Sequence, residues 1–369
     1  MSTSTPLFQD APAGASLTAH EHIGFELGWD YAHHALVPPA PFDQEPSPLR
    51  HGLRAGQAAF GTRTLQPTRH VRKWLQLRLH AWLRGRSVEL VQVTPHYLQQ
   101  LEASHCPITR IALSTATLEG SDASVDRVRN DAAYAAGNLA VMSTKANHAK
   151  GALGFREAIR LTRDLEIGHI RAAGGLTVPQ WARVAVLCSF VTPLSHDEAA
   201  ALPLLVLPPN RLRLFNPVQA LQAFVSRQLL VPGWAQRLAR LEALLPGKPA
   251  QRAFRQFFYA LLPRVLEAGR TDDLQRARWA VEDAWRNPLV LQRWSFFARL
   301  LTPQKCESLL AKAAAKKLAP QHIEQVSSER ATEGWQLESR GYVPHAVLMK
   351  RSAPRRSGAD ETAQASLPL

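Results

Sequence analysis

The sequence predicts a mainly α-helical protein interrupted once, in its first half, by a short β-containing insert, and ending in a larger helical domain. Three observations lead to that class. From Phe155 onward, apolar residues recur at the 3.6-residue period through REAIRLTRDLE, PQWARVAVLCSFV, PVQALQAFVSRQLL, PGWAQRLARLEALL, AQRAFRQFFYALLPRVLEA and DDLQRARWAVEDAW, with Pro and Gly at the joins. Residues 69–84 show the same period. Between 105 and 151 it is lost, and β-branched residues, Gly and Asn take over.

The bulk figures bound the answer. A chain of 369 residues, 46% hydrophobic, buries a real core and is expected to form about two or three domains. Forty-four Lys and Arg against 30 Asp and Glu leave a formal charge of +14, which favours a polyanionic partner such as DNA or RNA. Cys106, Cys188 and Cys306 are odd in number and scattered, so no disulfide framework and no four-cysteine zinc site is expected. The N-terminus lacks a basic and apolar leader and no run reaches about 18 apolar residues, so a cytoplasmic protein with no membrane span is expected.

In chain order, residues 1–50 read as a flexible, Pro-rich segment with one short helix, because residues 1–18 and 37–50 are rich in Pro, Ser and Ala. Within it, HEHIGFELGWDYAHH carries metal-like residues (His20, His22, Asp30, His33, His34), but its apolar Ile23, Phe25, Leu27, Trp29 and Tyr31 suggest docking onto the next domain instead. Gly52, Gly56 and Gly61 have no phosphate-loop spacing. Residues 51–104 form an N-terminal helical segment. In it RHVRKWLQLRLHAWLR aligns Val71, Trp74, Leu75, Leu79 and Trp82 on one stripe, with Arg69, Arg72, Lys73, His80 and Arg84 opposite, and Thr94-Pro95 opens a short helix. The insert spans 105–151, the helical domain 152–333, and 334–369 a small C-terminal element, a hairpin around Arg340-Gly341 being one reading, and a disordered tail.

Inside the insert, Cys106-Pro107-Ile108-Thr109-Arg110 signals a tight turn, Ser124 to Val128 and Leu139 to Met142 read as strands, and Ser143 caps a helix through Asn147 and Lys150. That arrangement turns Asn147 back toward the strand carrying Asp126. A carboxylate facing an amide oxygen suits a hard divalent cation that keeps waters and takes a phosphate oxygen.

These residues resemble the ββα-metal finger of the HNH endonucleases. Asp126-Arg127-Val128 matches its first strand, Gly137-Asn138-Leu139 its second, and Ser143 to Asn147 with Lys150 its helix, in order and spacing. The form, with Asn130, Asp131 and Tyr134 in the loop, is similar to that of phage and mobile-element members. The fold class becomes mainly α with a small embedded HNH-like finger. The resemblance implies a metal-dependent DNA endonuclease, with Asp126 and Asn147 as ligands of Mg²⁺ or Mn²⁺ and with Asn130, Tyr134 and Asn138 structuring the loop. Asp126, Arg127 and His148 would be catalytic, and Arg129, Lys145 and Lys150, with Arg72 and Lys73 of the amphipathic helix, would contact nucleic acid.

Two positions depart from the family. Arg127 stands where the family has the histidine that activates water, and a guanidinium stays protonated, so a base would come from His148, His105 or metal-bound hydroxide. The zinc-staple positions read Cys106-x-x-Thr109 and Ser143-x-x-Ala146, one thiolate of four, so no structural zinc is expected. The alternative is a catalytically inactive nucleic-acid-binding or regulatory protein on a degenerate finger. In the helical half, arginines from Arg252 to Arg293 recur among Phe257, Phe258, Trp279, Trp285 and Trp294, either as a nucleic-acid surface or as core rings beneath a solvated face.

Overall fold

Thr18 opens the first helix with a capping box: its hydroxyl accepts from the Glu21 N–H at 3.2 Å, and the Glu21 carboxylate accepts from the Thr18 N–H at 2.8 Å. Helix α1 (Ala19–His33) pairs with α2 (Pro48–Phe60), which starts on a proline, and with α3 (Arg69–Leu83), whose first turn is capped by Thr68. The computed structural model describes residues 17–42, 46–267, 273–318 and 323–343. The expected flexible residues 1–16, part of the 37–50 segment and the tail after Val343 lie outside them.

The chain divides into two units at Ser87, with Tyr342 and Val343 joining the first. In that first unit Leu27, Leu49, Leu53, Leu75 and Leu79 form the core, bounded by Tyr31 and Trp82. Helices α1 and α2 touch backbone to backbone: a Cβ on Gly28 would lie 1.8 Å from the Leu49 carbonyl oxygen, and one on Gly52 1.9 Å from that of Phe25. Asp30 is ion-paired with the buried Arg78. The histidines of α1 gather no metal group: His22 pairs with Glu26 at 3.2 Å, and His33 stacks on Phe60 at 4.3 Å.

The second unit runs from Val88 to Gly341. It opens with α4 (Pro95–Gln100), whose first turn Thr94 caps, then antiparallel β1 (Ala123–Arg127) and β2 (Leu139–Ser143), then α5 (Thr144–Lys150). Helix α6 (Phe155–Ile167) leads to the two-residue strands β3 (Ala172–Ala173) and β4 (Leu176–Thr177) and to α7 (Val178–Ser189) and α8 (His196–Ala200). Strand β5 (Arg213–Leu214) precedes α9 (Pro217–Gln228), α10 (Trp234–Glu242), α11 (Gly247–Leu266), α12 (Leu274–Ala284), α13 (Pro288–Arg299) and α14 (Pro303–Ala315). Strand β6 (Glu324–Gln325) pairs in parallel with β5, and α15 (Ser328–Ala331) follows. Prolines in the first turns of α7, α9, α13 and α14 follow the rule that an N-terminal turn has no use for that N–H. The protein is mainly helical, and among the described residues no helix is long and apolar enough to cross a membrane.

Residues 51–104 are split between the two units, and residues 105–151 are no separate domain. Cys106, Ile108, Val128, Ala140 and Met142 share one apolar core with Trp181, Phe190, Trp285 and Trp335, because two short strands and one short helix bury too little apolar area alone. The described part of 334–350 forms no hairpin; Leu337–Ser339 is a 3₁₀ turn.

Candidate functional site

The strands and the helix of the insert fall where the sequence predicted them. Ser143 caps α5, its hydroxyl accepting from the Ala146 N–H at 3.3 Å. In β1 alternate residues share a face, so Ser124 and Asp126 both turn toward α5. The Asn147 amide donates to the Ser124 hydroxyl at 2.7 Å. The Lys150 ammonium, wholly buried, lies 2.9 Å from the Asp126 carboxylate and donates to the Arg127 carbonyl at 3.0 Å. Burial pushes the Asp126 carboxyl above its usual range, and Lys150 and then Arg127 pull it back in part.

This arrangement corrects several expectations. Lys150 contacts no phosphate here, because it is fully enclosed and paired within the fold. Asp126 faces an ammonium, and Asn147 is spent on a hydroxyl, so the two do not form an oxygen cage for Mg²⁺ or Mn²⁺. Among the described residues no three His, Cys, Asp or Glu side chains gather into a metal-binding group. Both side chains expected to hold the metal are thus engaged within the fold, Asp126 by Lys150 and Asn147 by Ser124. Arg127 is 9% exposed and turned inward, donating to the carbonyls of Asn130 at 3.2 Å and Ala132 at 2.9 Å and lying over the Tyr134 ring at 4.9 Å. It braces the loop between the strands. His148 sits on the exposed side of α5 with no hydrogen bond to Asp126.

Cys106, Thr109 and Ser143 come together in the fold. The Cys106 thiol accepts from the Ser143 hydroxyl at 3.3 Å and from the Thr109 N–H at 3.4 Å, and the two hydroxyls lie 3.4 Å apart, with the methyl of Ala146 buried beside them. One thiol and two hydroxyls are no zinc donor set; they form a small hydrogen-bonded plug. Compared with known proteins, the chain matches no family model, no curated protein and no solved structure.

In the loop of residues 128–138, Val128 and residues 132–138 are buried, Arg129 and Asn130 are half-buried and Asp131 is exposed. Asn138, fully enclosed, accepts from the Arg129 N–H at 2.8 Å and donates to the carbonyls of Arg129 at 3.0 Å and Ala133 at 3.1 Å. Trp335 donates from its indole to the Ala136 carbonyl at 3.0 Å and accepts from the Ala133 N–H at 2.7 Å. Gly137 adopts φ +85° and lies so close to Arg213 that a Cβ would sit 2.3 Å from its Cδ. The Asn130 side-chain nitrogen is buried without a hydrogen-bond partner.

The outer basic residues are unevenly placed. Lys145 and Arg72 are exposed, on α5 and α3 of different units, while Lys73 is half-buried. Arg129 is paired with Asp131 at 2.8 Å. Sequence reasoning missed the residues that fix the insert to the helices. Arg183 of α7 donates to the Ile108 carbonyl at 2.9 Å, and its guanidinium is pushed down to about 10 by burial and then by Arg110. Arg110 in turn grips Asp283 at 2.7 Å and the buried Glu282 at 3.3 Å. No local signal announces such pairs, since their partners are more than 70 residues apart.

Proposed function

We propose that this chain is a nucleic-acid-binding protein, with DNA as its target, built on a degenerate HNH-like finger that no longer hydrolyses phosphodiesters. The observation carrying this reading is the buried contact between Lys150 and Asp126: an ammonium stands against the carboxylate that in the family would take a divalent cation. With Arg127 turned into the loop and Asn147 bonded to Ser124, the side chains expected to hold the metal and steady a phosphate are engaged in internal contacts, and the exposed His148 makes no hydrogen bond to Asp126. The convergence of Cys106, Thr109, Ser143 and Ala146 supports descent from a zinc-stapled finger. The charge of +14 supports a polyanionic partner.

The test is supercoiled-plasmid cleavage by the purified full chain with Mg²⁺ or Mn²⁺, beside DNA binding at two salt concentrations. No nicking is expected, together with DNA binding that weakens as salt rises. Chelator-sensitive nicking lost in both Asp126→Ala and Asn147→Ala would restore the endonuclease reading. A folded protein that binds no DNA at low salt would remove the partner.

A further inference from the structure

The helical unit carries one surface whose chemistry matches an unpaired strand. Helix α11 and helix α13 together hold no Asp or Glu, yet α11 supplies Lys248, Arg252, Arg255 and Arg264, and α13 supplies Arg293 and Arg299. Glu242 of α10 reaches Arg255 at 2.6 Å, Glu267 at the C-terminal cap of α11 reaches Arg264 at 2.6 Å, and Asp197 lies 3.9 Å from Arg299. Among the described residues Lys248, Arg252 and Arg293 have no ion-pair partner, so their charge faces solvent.

The rings of these helices sort into two sets. Phe254, Phe257, Trp294 and Phe297 are buried and pair across the helices, Phe257 with Trp294 at 5.0 Å and Phe254 with Phe297 at 5.3 Å. Those pairs run in antiparallel order. The outward faces then meet along one seam, where the Arg293 guanidinium donates to the Gln256 amide oxygen at 3.4 Å. Tyr259 is 69% exposed and Phe296 56% exposed, and neither contacts another ring among the described residues. The antiparallel order sets Phe296 level with residues 253–255 of α11, beside Arg252, and Tyr259 one turn beyond the Gln256–Arg293 contact. Exposed cations and open rings therefore share this stretch of the two helices. Lys248 to Tyr259 rises about 16 Å along α11, room for several nucleotides.

We infer that the α11/α13 face binds single-stranded DNA, its arginines on the phosphates and Tyr259 and Phe296 stacked on unpaired bases. The inference rests on the nucleic-acid reading above and adds the surface and the strand state. Charge complementarity carries the choice of partner: the face is cationic along both helices. A paired duplex shields its base faces and leaves the two rings with nothing to stack on, whereas an unpaired strand uses rings and charges together.

Fluorescence anisotropy with a labelled dT20 strand and a 20-base-pair duplex tests this on the full chain and on two surface variants, Arg252→Glu/Arg293→Glu and Tyr259→Ala/Phe296→Ala. Each double variant is expected to bind dT20 at least about tenfold more weakly while changing duplex affinity much less. The charge variant is also expected to flatten the log–log salt slope for dT20 by about 1.4, two contacts at about 0.7 each. Unchanged dT20 affinity in both variants, with wild type still binding DNA, overturns the surface and leaves the proposed function standing. Loss in the charge variant alone makes the face a backbone-only contact and overturns stacking. A wild type that binds neither probe overturns the function and this inference together. Binding to phosphatidylserine vesicles lost in both variants, with dT20 binding intact, would assign the face to a lipid surface instead.

Discussion

Replacing Lys150 with methionine removes the cation from the centre of the ββα unit and keeps most of the side-chain volume. The ammonium has two partners, Asp126 at 2.9 Å and the Arg127 carbonyl at 3.0 Å, and no exposure to water. At that separation and an effective dielectric constant of about 20, the Coulomb attraction is about 6 kcal/mol, most of it offsetting the cost of taking both charges out of water. Removing one partner leaves the other charge buried alone, which costs about 3–5 kcal/mol. For a unit of this size the loss lowers the melting temperature by roughly 10 °C. The double variant Asp126→Val/Lys150→Met leaves neither charge behind, and is expected to recover at least about 2 kcal/mol relative to the sum of the single changes. Urea unfolding followed by tryptophan fluorescence reads this directly, because Trp181, Trp285, Trp294 and Trp335 are all buried in the same unit. A Lys150→Met protein destabilised by less than about 1 kcal/mol, or single changes that simply add, would refute the view that this pair is a closed internal cation site.

Two further outcomes are expected. Cys106, Cys188 and Cys306 are all buried, and burial pushes the Cys188 thiol up to about 11 and the Cys306 thiol up to about 12, so a disulfide reagent at pH 8 should titrate no thiol rapidly in the native protein and three after unfolding. The raised thiols hold their protons more tightly in the folded state, so their contribution to stability is present below pH 9 and is lost as pH climbs toward 11–12; rapid native labelling of Cys188 or Cys306 would contradict this. Gly28→Ala puts a methyl carbon where only 1.8 Å separates it from the Leu49 carbonyl oxygen, and forcing α1 from α2 should cost about 2 kcal/mol or more in thermal unfolding; a change under about 0.5 kcal/mol would show that the helices slide apart freely.

Much of the local architecture was legible in the residues. Thr94-Pro95 and Ser143 announce helix starts because a hydroxyl that can accept from the first turn, or a ring that needs no N–H there, acts within three or four positions along the chain. The two strands of the insert and the loop role of Asn138 were legible for the same reason, being set by neighbours less than 20 residues away.

The fate of the charged residues was not legible. Lys150 reads as a trailing basic residue on a polar helix, and becomes a buried counter-ion because β1 and α7 pack beside it, bringing Asp126, the Arg127 carbonyl and Cys188 close. Arg127 turns inward because the loop offers it two carbonyls and the face of Tyr134. Nor did the arginine and aromatic run of the helical half reveal which rings face out: Phe257 and Trp294 lie in the core, while Tyr259 and Phe296, each two residues away, lie on the surface. Helix and strand starts follow from short-range backbone geometry, which the order of residues carries directly. Burial, pairing and exposure depend on which distant segments exclude water from a side chain, and in this protein that is what separates a metal-binding reading of Asp126 from the lysine pair it makes.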